Sequence, residues 1–359
     1  MFIVHRIVFA LNGIALLLLL LSYAAPYISP ALFWPIAFLG LAYPVLLIIN
    51  ILFSIYWILF FKIKFLMSLM VIAIGYSYIP KYVQLNAKKL SEKDGTLEVV
   101  SFNMKYFGAY DGKKPEDADH FFEVLDKVGP DILCLQECEN FNTKAEGAAF
   151  KKLYKKMANF YTYNLGQKDG YKSADGLMIA SRFPIIDSGI VERDERSDNY
   201  TIFVDIKVGE KTYRIINTHL QSIRFEEKEY NAVKKLDFEN DTVVSGYKSI
   251  THKLKTAFLK RAKQAETIRE FILQSPYPVI LCGDFNDLPT SYAYHNVKGK
   301  MKDAFEEAAS GLGRTYVGTA PSFRIDYILF DPSFSAFNYY AKPFVFSDHK
   351  MVSCTLKAK

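Results

Sequence analysis

From Met1 to Pro80 the chain is apolar almost without interruption, whereas from Leu97 onward short apolar runs alternate with polar stretches. No charged residue lies between Arg6 and Lys62, far more than the ~20 apolar residues needed to cross a hydrocarbon core of ~30 Å. More than one crossing is therefore expected. The break falls at Ala24-Ala25-Pro26-Tyr27-Ile28-Ser29-Pro30, where two prolines cannot continue a helix. A first span is predicted over about 5–25 and a second over about 34–60. Trp34 and Trp57 then stand a helix length of ~34 Å apart, which suits an aromatic belt at each face; Pro44 between them is tolerated in a membrane helix. Phe65 to Pro80 is a third apolar stretch, at the short limit for a span or else interfacial. The first run also has the basic end, apolar core and small-residue site of a cleavable leader, but another long apolar run follows at once, which favours an anchor.

The remainder reads as a folded domain over 97–359, joined through a linker at 81–96. Strands are predicted at Leu97–Phe102, Ile132–Gln136, Gly176–Ala180, Tyr200–Val208, Tyr213–Thr218, Val279–Cys282, Phe323–Phe330 and Met351–Leu356. Helices are predicted at 115–128, 143–158 and 255–274, the first opened by Pro115-Glu116-Asp117 and stopped by Gly129-Pro130. Adjacent strands mixed with strand–helix alternation point to an α/β sandwich of two packed sheets with helices outside. A dinucleotide-binding fold would need a glycine fingerprint after the first strand, and none is there.

Charge refines this division. Of the formal net charge of +6, three charges belong to Arg6, Lys62 and Lys64, leaving +3 for everything beyond Pro80. That residue is too small to favour polyanion binding, so the basic pI of 8.8 is no argument for nucleic acid. The stretch from Arg224 to Lys263 mixes bases with acids and reads as solvated helices or an excursion over one end of the sandwich, with a basic membrane-facing or nucleic-acid-facing surface the alternative. With three spans and Arg6 in the cytoplasm, the domain emerges outside; with two it stays inside, and Lys81, Lys88 and Lys89 balance the other bases. Cys134 and Cys282 sit inside strand-like runs, and Cys138 and Cys354 have no metal-type spacing, so the four thiols do not identify a compartment.

The chemistry lies at the strand ends. Ser101-Phe102-Asn103, Leu135-Gln136-Glu137, Ile216-Asn217-Thr218-His219 and Cys282-Gly283-Asp284-Phe285-Asn286 each close a predicted strand; Asp326 lies in a fifth, and Asp348-His349 precede the last. Taken singly, each is an ordinary turn or edge residue. Gathered at one edge of a sandwich, they bring two amides, four carboxylates and two imidazoles into one cleft. That set suits hydrolysis of a phosphate ester: Mg²⁺ takes oxygen ligands, with Glu137 the first choice, a carboxylate activates water, and His or Asn donors stabilise the charge that develops.

On these motifs residues 97–356 resemble the endonuclease/exonuclease/phosphatase superfamily. The resemblance implies a four-layer α/β/β/α sandwich, preceded here by an N-terminal α-helical transmembrane segment, and a divalent-metal phosphoesterase using Mg²⁺, with Mn²⁺ as a substitute. Carried over by motif, Glu137, Asn103 and Asp348 form the metal site, and Asn103 alternatively positions the catalytic aspartate. Asp284 orients or activates water, Asn286 holds the phosphate and that aspartate, and His219 contacts the phosphate or the leaving oxygen. Asp326 orients His349, which stabilises the phosphoryl charge.

Departures from the family pattern bear on substrate. The Trp-Cys-Asp-Arg sequence of inositol 5-phosphatases is replaced by Phe323-Arg324-Ile325-Asp326-Tyr327, and no tryptophan follows Trp57, unlike apurinic endonucleases. The hydrophobic segment resembles the anchors of some bacterial members, which implies an inner-membrane protein; three spans put its catalytic domain on the periplasmic side and two on the cytoplasmic side. Tethering near a bilayer favours a phospholipid-type headgroup as substrate, with nucleic acid the competitor and the bilayer the other partner; no protein partner is inferred. A catalytically inactive, membrane-tethered binding module would show lost ligands or a lost Asp-His pair, and none is lost. Transport by the helices themselves lacks any intramembrane acid.

Overall fold

The computed structural model describes residues 2–91, 94–107, 118–138, 152–153, 155–164, 176–193, 199–223, 241–318 and 323–359. It forms two compact units, one of residues 1–80, 222–266 and 287–296, the other of 81–221, 267–286 and 297–359.

In the first unit, helices α1 (Phe2–Ser22) and α2 (Pro35–Leu59) are each long and apolar enough to cross a membrane. The third apolar stretch forms a ten-residue helix, α3 (Phe65–Ile74), continued by a 3-10 turn over Tyr76–Lys81. At ~1.5 Å per residue α3 spans only about 15 Å. Polar side chains fasten the three together. Asn12 Nδ2 donates to Ser68 Oγ at 2.9 Å, Trp57 Nε1 donates to Asn12 Oδ1 at 2.9 Å, and Asn50 Nδ2 donates to the carbonyls of Ala15 and Leu46. Trp57 is thus fully buried, and the expected belt role fails for it: its indole N–H needs an acceptor in an apolar bundle and finds one on Asn12. Lys64 lies over the Phe9 ring at 4.2 Å, whereas Tyr78 stacks on Tyr23 at 5.4 Å. Residues 64–78 therefore run alongside α1 in the same direction, back to the end where residues 24–34 turn.

The second unit holds two six-stranded sheets. We number its longer strands β1 (Thr96–Asn103), β2 (Ile132–Cys138), β3 (Tyr161–Asn164), β4 (Gly176–Ser181), β5 (Ile185–Arg193), β6 (Tyr200–Val208), β7 (Lys211–His219), β8 (Val279–Asp284), β9 (Asp326–Phe330), β10 (Phe334–Pro343) and β11 (Lys350–Ala358). One sheet has the order β10-β11-β1-β2-β4-β3; the other begins with the short strand Lys302–Asp303 and continues β9-β8-β7-β6-β5. Each contains a single parallel pair near its centre, β1 with β2 and β7 with β8.

The central strands are buried on both faces, which explains why their sequences are continuous apolar runs rather than alternations. Val99, Ile132, Cys134 and Ile179 of one sheet meet Ile202, Ile215, Ile280 and Cys282 of the other. Val100, Phe102, Leu133 and Leu135 point the opposite way, onto helix α4 (Asp119–Val128) through Phe121, Phe122 and Leu125. On the far side, the end of helix α5 (Asp241–Leu273) covers the second sheet, with Phe271 against Phe203 at 4.9 Å. The layers are α/β/β/α, as the resemblance implied.

Several predicted boundaries move. The expected strand from Phe323 starts only at Asp326, because Arg324 turns aside to donate to Asp303 Oδ2 at 2.6 Å in a buried pair and to the Lys81 carbonyl. Helix α5 begins at Asp241, well before the predicted 255. Strands β3, β5 and β10 were not expected; β3 and β5 are sheet edges, and β10 breaks its register at a bulge between Phe337 and Tyr340. The predicted helix start at Pro115-Glu116-Asp117 lies outside the described residues, as does most of the predicted helix 143–158.

Candidate active site

Strand register builds half of the site. Where β7 and β8 run parallel, His219 is the partner of Asp284, and where β9 returns antiparallel to β8, Asp326 is the partner of Asp284 on the other side. Three neighbouring strands thus place an imidazole and two carboxylates in one row. The opposing sheet supplies Asn103, paired with Gln136 across β1 and β2, and Glu137 just beyond it. Glu137 sits at an irregularity in β2 between Leu135 and Cys138, with φ of +47°. A left-handed residue at a bulge is re-aimed out of the pleat.

All eight residues expected from the sequence come together. Asn103 Nδ2 donates to Glu137 Oε1 at 3.1 Å and to Asp284 Oδ2 at 3.0 Å, linking carboxylates from the two sheets, while its Oδ1 accepts from the Lys105 backbone N–H. His219 Nε2 is 3.7 Å from Asp284 Oδ2 and 3.8 Å from Glu137 Oε1. Asn286 is left-handed at φ +51°; its backbone N–H donates to Asp284 Oδ1 at 2.8 Å and its amide to the Leu220 carbonyl. His349 Nδ1 bonds both oxygens of Asp326 at 3.0 and 3.1 Å, and its Nε2 is 3.7 Å from Asp284 Oδ2. Asp348 lies 4.0 Å from His349 Nε2 through Oδ1 and accepts from Lys105 Nζ at 3.2 Å through Oδ2.

Gly283 makes the row possible. Its φ is +150°, and a Cβ there would lie 2.0 Å from the Thr218 carbonyl oxygen, so only glycine lets β8 approach β7 this closely.

Burial sets the charge states. Asp284 is pushed up to about 6, chiefly by desolvation and also by Asp326, against the pull of His349 and His219. Glu137 is raised by desolvation, opposed by the Asn103 hydrogen bond and by His349. Burial alone would lower His349, but the carboxylates of Asp326 and Asp284 outweigh it and carry the imidazole up to about 10. At neutral pH His349 is therefore an imidazolium with Nδ1–H on Asp326 and Nε2–H facing the cleft.

This decides which carboxylates suit a cation. Among the described residues, donor atoms of Asp284, Asp326 and His349 lie within 4.8 Å of one another, close enough to hold an ion. An imidazolium offers no lone pair, however, and Asp326 is already engaged by it. Glu137 and Asp348, with side chains 25% and 26% exposed, combine oxygen donors with access to the cleft. Glu137, raised by burial and accepting from the neutral Asn103 amide, fits a hard divalent ion best.

Sequence reasoning missed three supporting residues. Asn217 Nδ2 donates to the carbonyls of Leu135 and Met178, and its Oδ1 accepts from Gln136 Nε2 at 2.7 Å, all buried. A side chain of one sheet thus satisfies the backbone of the other beside the Glu137 bulge. Lys105, also left-handed at φ +45°, brings a cation to Asp348. These pairings join residues far apart in the chain, and only the placement of Asn217 two residues before His219 hinted at them.

Comparison with known proteins agrees with this geometry. The sequence model of the Endonuclease/Exonuclease/phosphatase family matches residues 100–349, about two-thirds of the chain. The protein belongs to that family and is a phosphoesterase hydrolase. A domain of unknown function, DUF8431, matches residues 5–82. No curated protein matches the chain. Among solved structures, D. rerio TDP2 complexed with a single-strand DNA product is 18% identical, with a TM-score of 0.52 over 74% of this chain and 100% of that one. The human Nocturnin catalytic domain is 16% identical, at 0.51 over 74% and 95%. An endonuclease/exonuclease/phosphatase from Bacteroides vulgatus is 18% identical, at 0.50 over 74% and 99%. At such identities the likeness is one of fold.

Proposed function

We propose that this protein is a membrane-anchored, divalent-metal-dependent phosphodiesterase whose substrate is a phosphate ester of the lipid-headgroup type. The observation that carries the chemistry is the meeting of Glu137, Asn103, Asp284, His219 and the Asp326–His349 pair from two sheets. Glu137 would hold the ion, with Asp348 supporting it, and Mg²⁺ or Mn²⁺ bound there supplies positive charge against the phosphoryl oxygens. Asn103, whose amide nitrogen faces both carboxylates, holds Glu137 and Asp284 in place. Asp284, raised to about 6 yet ionised at neutral pH, accepts the proton of the attacking water at Oδ2. The His349 imidazolium, oriented by Asp326, donates from Nε2 to the oxygen that gains charge, and His219 and Asn286 steady the phosphate.

The anchor reading rests on α1 and α2 and on the return of residues 64–78 alongside α1. Arg6, Lys62 and Lys64 then share one face, with Lys81, Lys88 and Lys89 following beyond the other; we infer from the three-pass path, with Arg6 in the cytoplasm, that the catalytic domain lies on the periplasmic side of a bacterial inner membrane. The test uses the full chain in detergent micelles with Mg²⁺ or Mn²⁺, offered lysophospholipid, phospholipid, bis-p-nitrophenyl phosphate and single-stranded DNA. Turnover of the lipid esters above DNA supports the reading, and hydrolysis of DNA alone moves it to a nuclease. No hydrolysis of any arm refutes it.

A further inference from the structure

Within the first unit, part of α5 is fastened to the ends of the membrane helices. Phe258 packs edge-on against Phe38 at 5.3 Å, and the Lys255 ammonium lies 5.0 Å above the Trp34 ring. Residues 287–296 join the same assembly. Thr290 Oγ1 donates to the Gly40 carbonyl at 2.9 Å in a buried contact, His295 meets Tyr27 at 4.6 Å, and Tyr292 donates to Glu266 of α5 at 2.8 Å. Gly40 lets these surfaces close: a Cβ there would lie 2.7 Å from the Ala25 Cβ and 3.0 Å from the Thr290 carbonyl. Trp34 caps α2 and Phe38 lies one turn inside it. A helix of 25 residues, at ~1.5 Å each, exceeds the ~30 Å hydrocarbon core by several ångströms. On the anchored reading, the contacting part of α5 is held at the depth of the headgroups.

The sequence of that part matches its position. From Thr242 to Ala265 there are six bases, Lys248, Lys253, Lys255, Lys260, Arg261 and Lys263, and no acid. Leu254, Ala257, Phe258, Ala262 and Ala265 are buried and form one stripe at helical spacing. At about 100° per residue the five lysines fall on a single arc of roughly 160° opposite that stripe. The acids of the Arg224–Lys263 stretch all precede Thr242, so the basic-surface alternative applies to this part of it.

We propose that residues 242–265 form an interfacial basic helix whose partner is the anionic phospholipid headgroups of the leaflet into which Trp34 opens. Phe258 of the apolar stripe meets Phe38 while the lysines reach phosphate oxygens at the rim, the arrangement that binds an amphipathic helix to a charged bilayer. This surface shares no residue with the Glu137 cleft and rests on the anchored reading alone. It gives the enzyme a local excess of anionic lipid whatever ester it cleaves.

Trp34 is the reporter, because Trp57 is buried among the helices and contributes a constant background. Full-length protein is reconstituted into vesicles of phosphatidylcholine and phosphatidylglycerol in which one or the other lipid carries brominated chains. Each lysine near a charged surface is worth about a fivefold factor in attraction, so brominated phosphatidylglycerol is expected to quench several-fold more than brominated phosphatidylcholine. The preference should collapse in 0.5 M salt and in the variant Lys248→Gln/Lys253→Gln/Lys260→Gln/Lys263→Gln. Equal quenching by the two lipids in the wild type overturns the proposal, and so does a preference that survives salt. The salt titration needs no variant, so misfolding of the quadruple substitution leaves the test intact. Release of the chain by alkaline carbonate would instead overturn the anchor.

Discussion

Replacing Asp326 by Asn removes the charge that makes His349 a permanent cation while keeping a side chain of the same size in a buried site. The Asp326 carboxylate touches Nδ1 at 3.0 Å, a separation of charge centres near 4 Å. At an effective dielectric of about 20, that pair is worth about 4 kcal/mol, or a factor of nearly a thousand in the imidazole's proton affinity. His349 should therefore fall from about 10 to near neutrality. The sign for stability follows. A histidine raised from 6.5 to about 10 contributes stability that is fully present below pH 6.5 and is lost as pH rises through 10, so the variant should lose most of the wild type's decline between those values. For catalysis, losing an oriented cationic donor costs about 10²–10³ in kcat, with part of the loss recovered as pH is lowered toward the new value. The assays are ¹³C NMR titration of the histidine ring, with His349→Gln as the assignment control, and hydrolysis of bis-p-nitrophenyl phosphate from pH 5.5 to 10 by the full chain in micelles. A variant whose kcat stays within threefold of wild type, with an unmoved His349 titration, would refute the role given to this pair.

Other expectations follow from particular contacts. Asn217→Ala removes three buried hydrogen bonds beside the Glu137 bulge and should destabilise the fold by about 3 kcal/mol; denaturant unfolding that shifts by less than 1 kcal/mol would contradict this. Gly283→Ala sets a Cβ 2.0 Å from the Thr218 carbonyl and should cost about 3 kcal/mol or more. Expression at wild-type levels with an unchanged Tm would show that β7 and β8 separate more easily than their register implies. A periplasm-dependent reporter fused after Lys359 should be active and a cytoplasm-dependent one silent; the reverse pattern would place the domain inside.

Much of this site was legible in the sequence because its chemistry sits where strands stop. Asn103, Glu137, His219 and Asp284 each close an apolar run, and a run buried on both faces is visible without any structure. The long-range parts were not. Asn217 meets Gln136 across 81 positions, and no local pattern marks which amide will cap a bulge in another sheet. Strand β5 was missed because most of its residues are half-buried or exposed, so it lacks the apolar run that betrays a central strand. Trp57 was misread because an aromatic at a span's end suits the interface as well as the bundle interior, and the choice depends on Asn12, 45 residues away.

On the proposed function, a divalent ion bound at Glu137 drives phosphate-ester hydrolysis in this cleft. Mn²⁺ binding, followed by electron paramagnetic resonance on the full chain in micelles and read beside bis-p-nitrophenyl phosphate turnover in the same samples, tests it most directly. Wild type should bind Mn²⁺ and turn over substrate, chelation should abolish both, and Glu137→Gln should weaken binding at least tenfold and lower turnover at least a hundredfold. Undiminished Mn²⁺ binding and turnover in Glu137→Gln would contradict it.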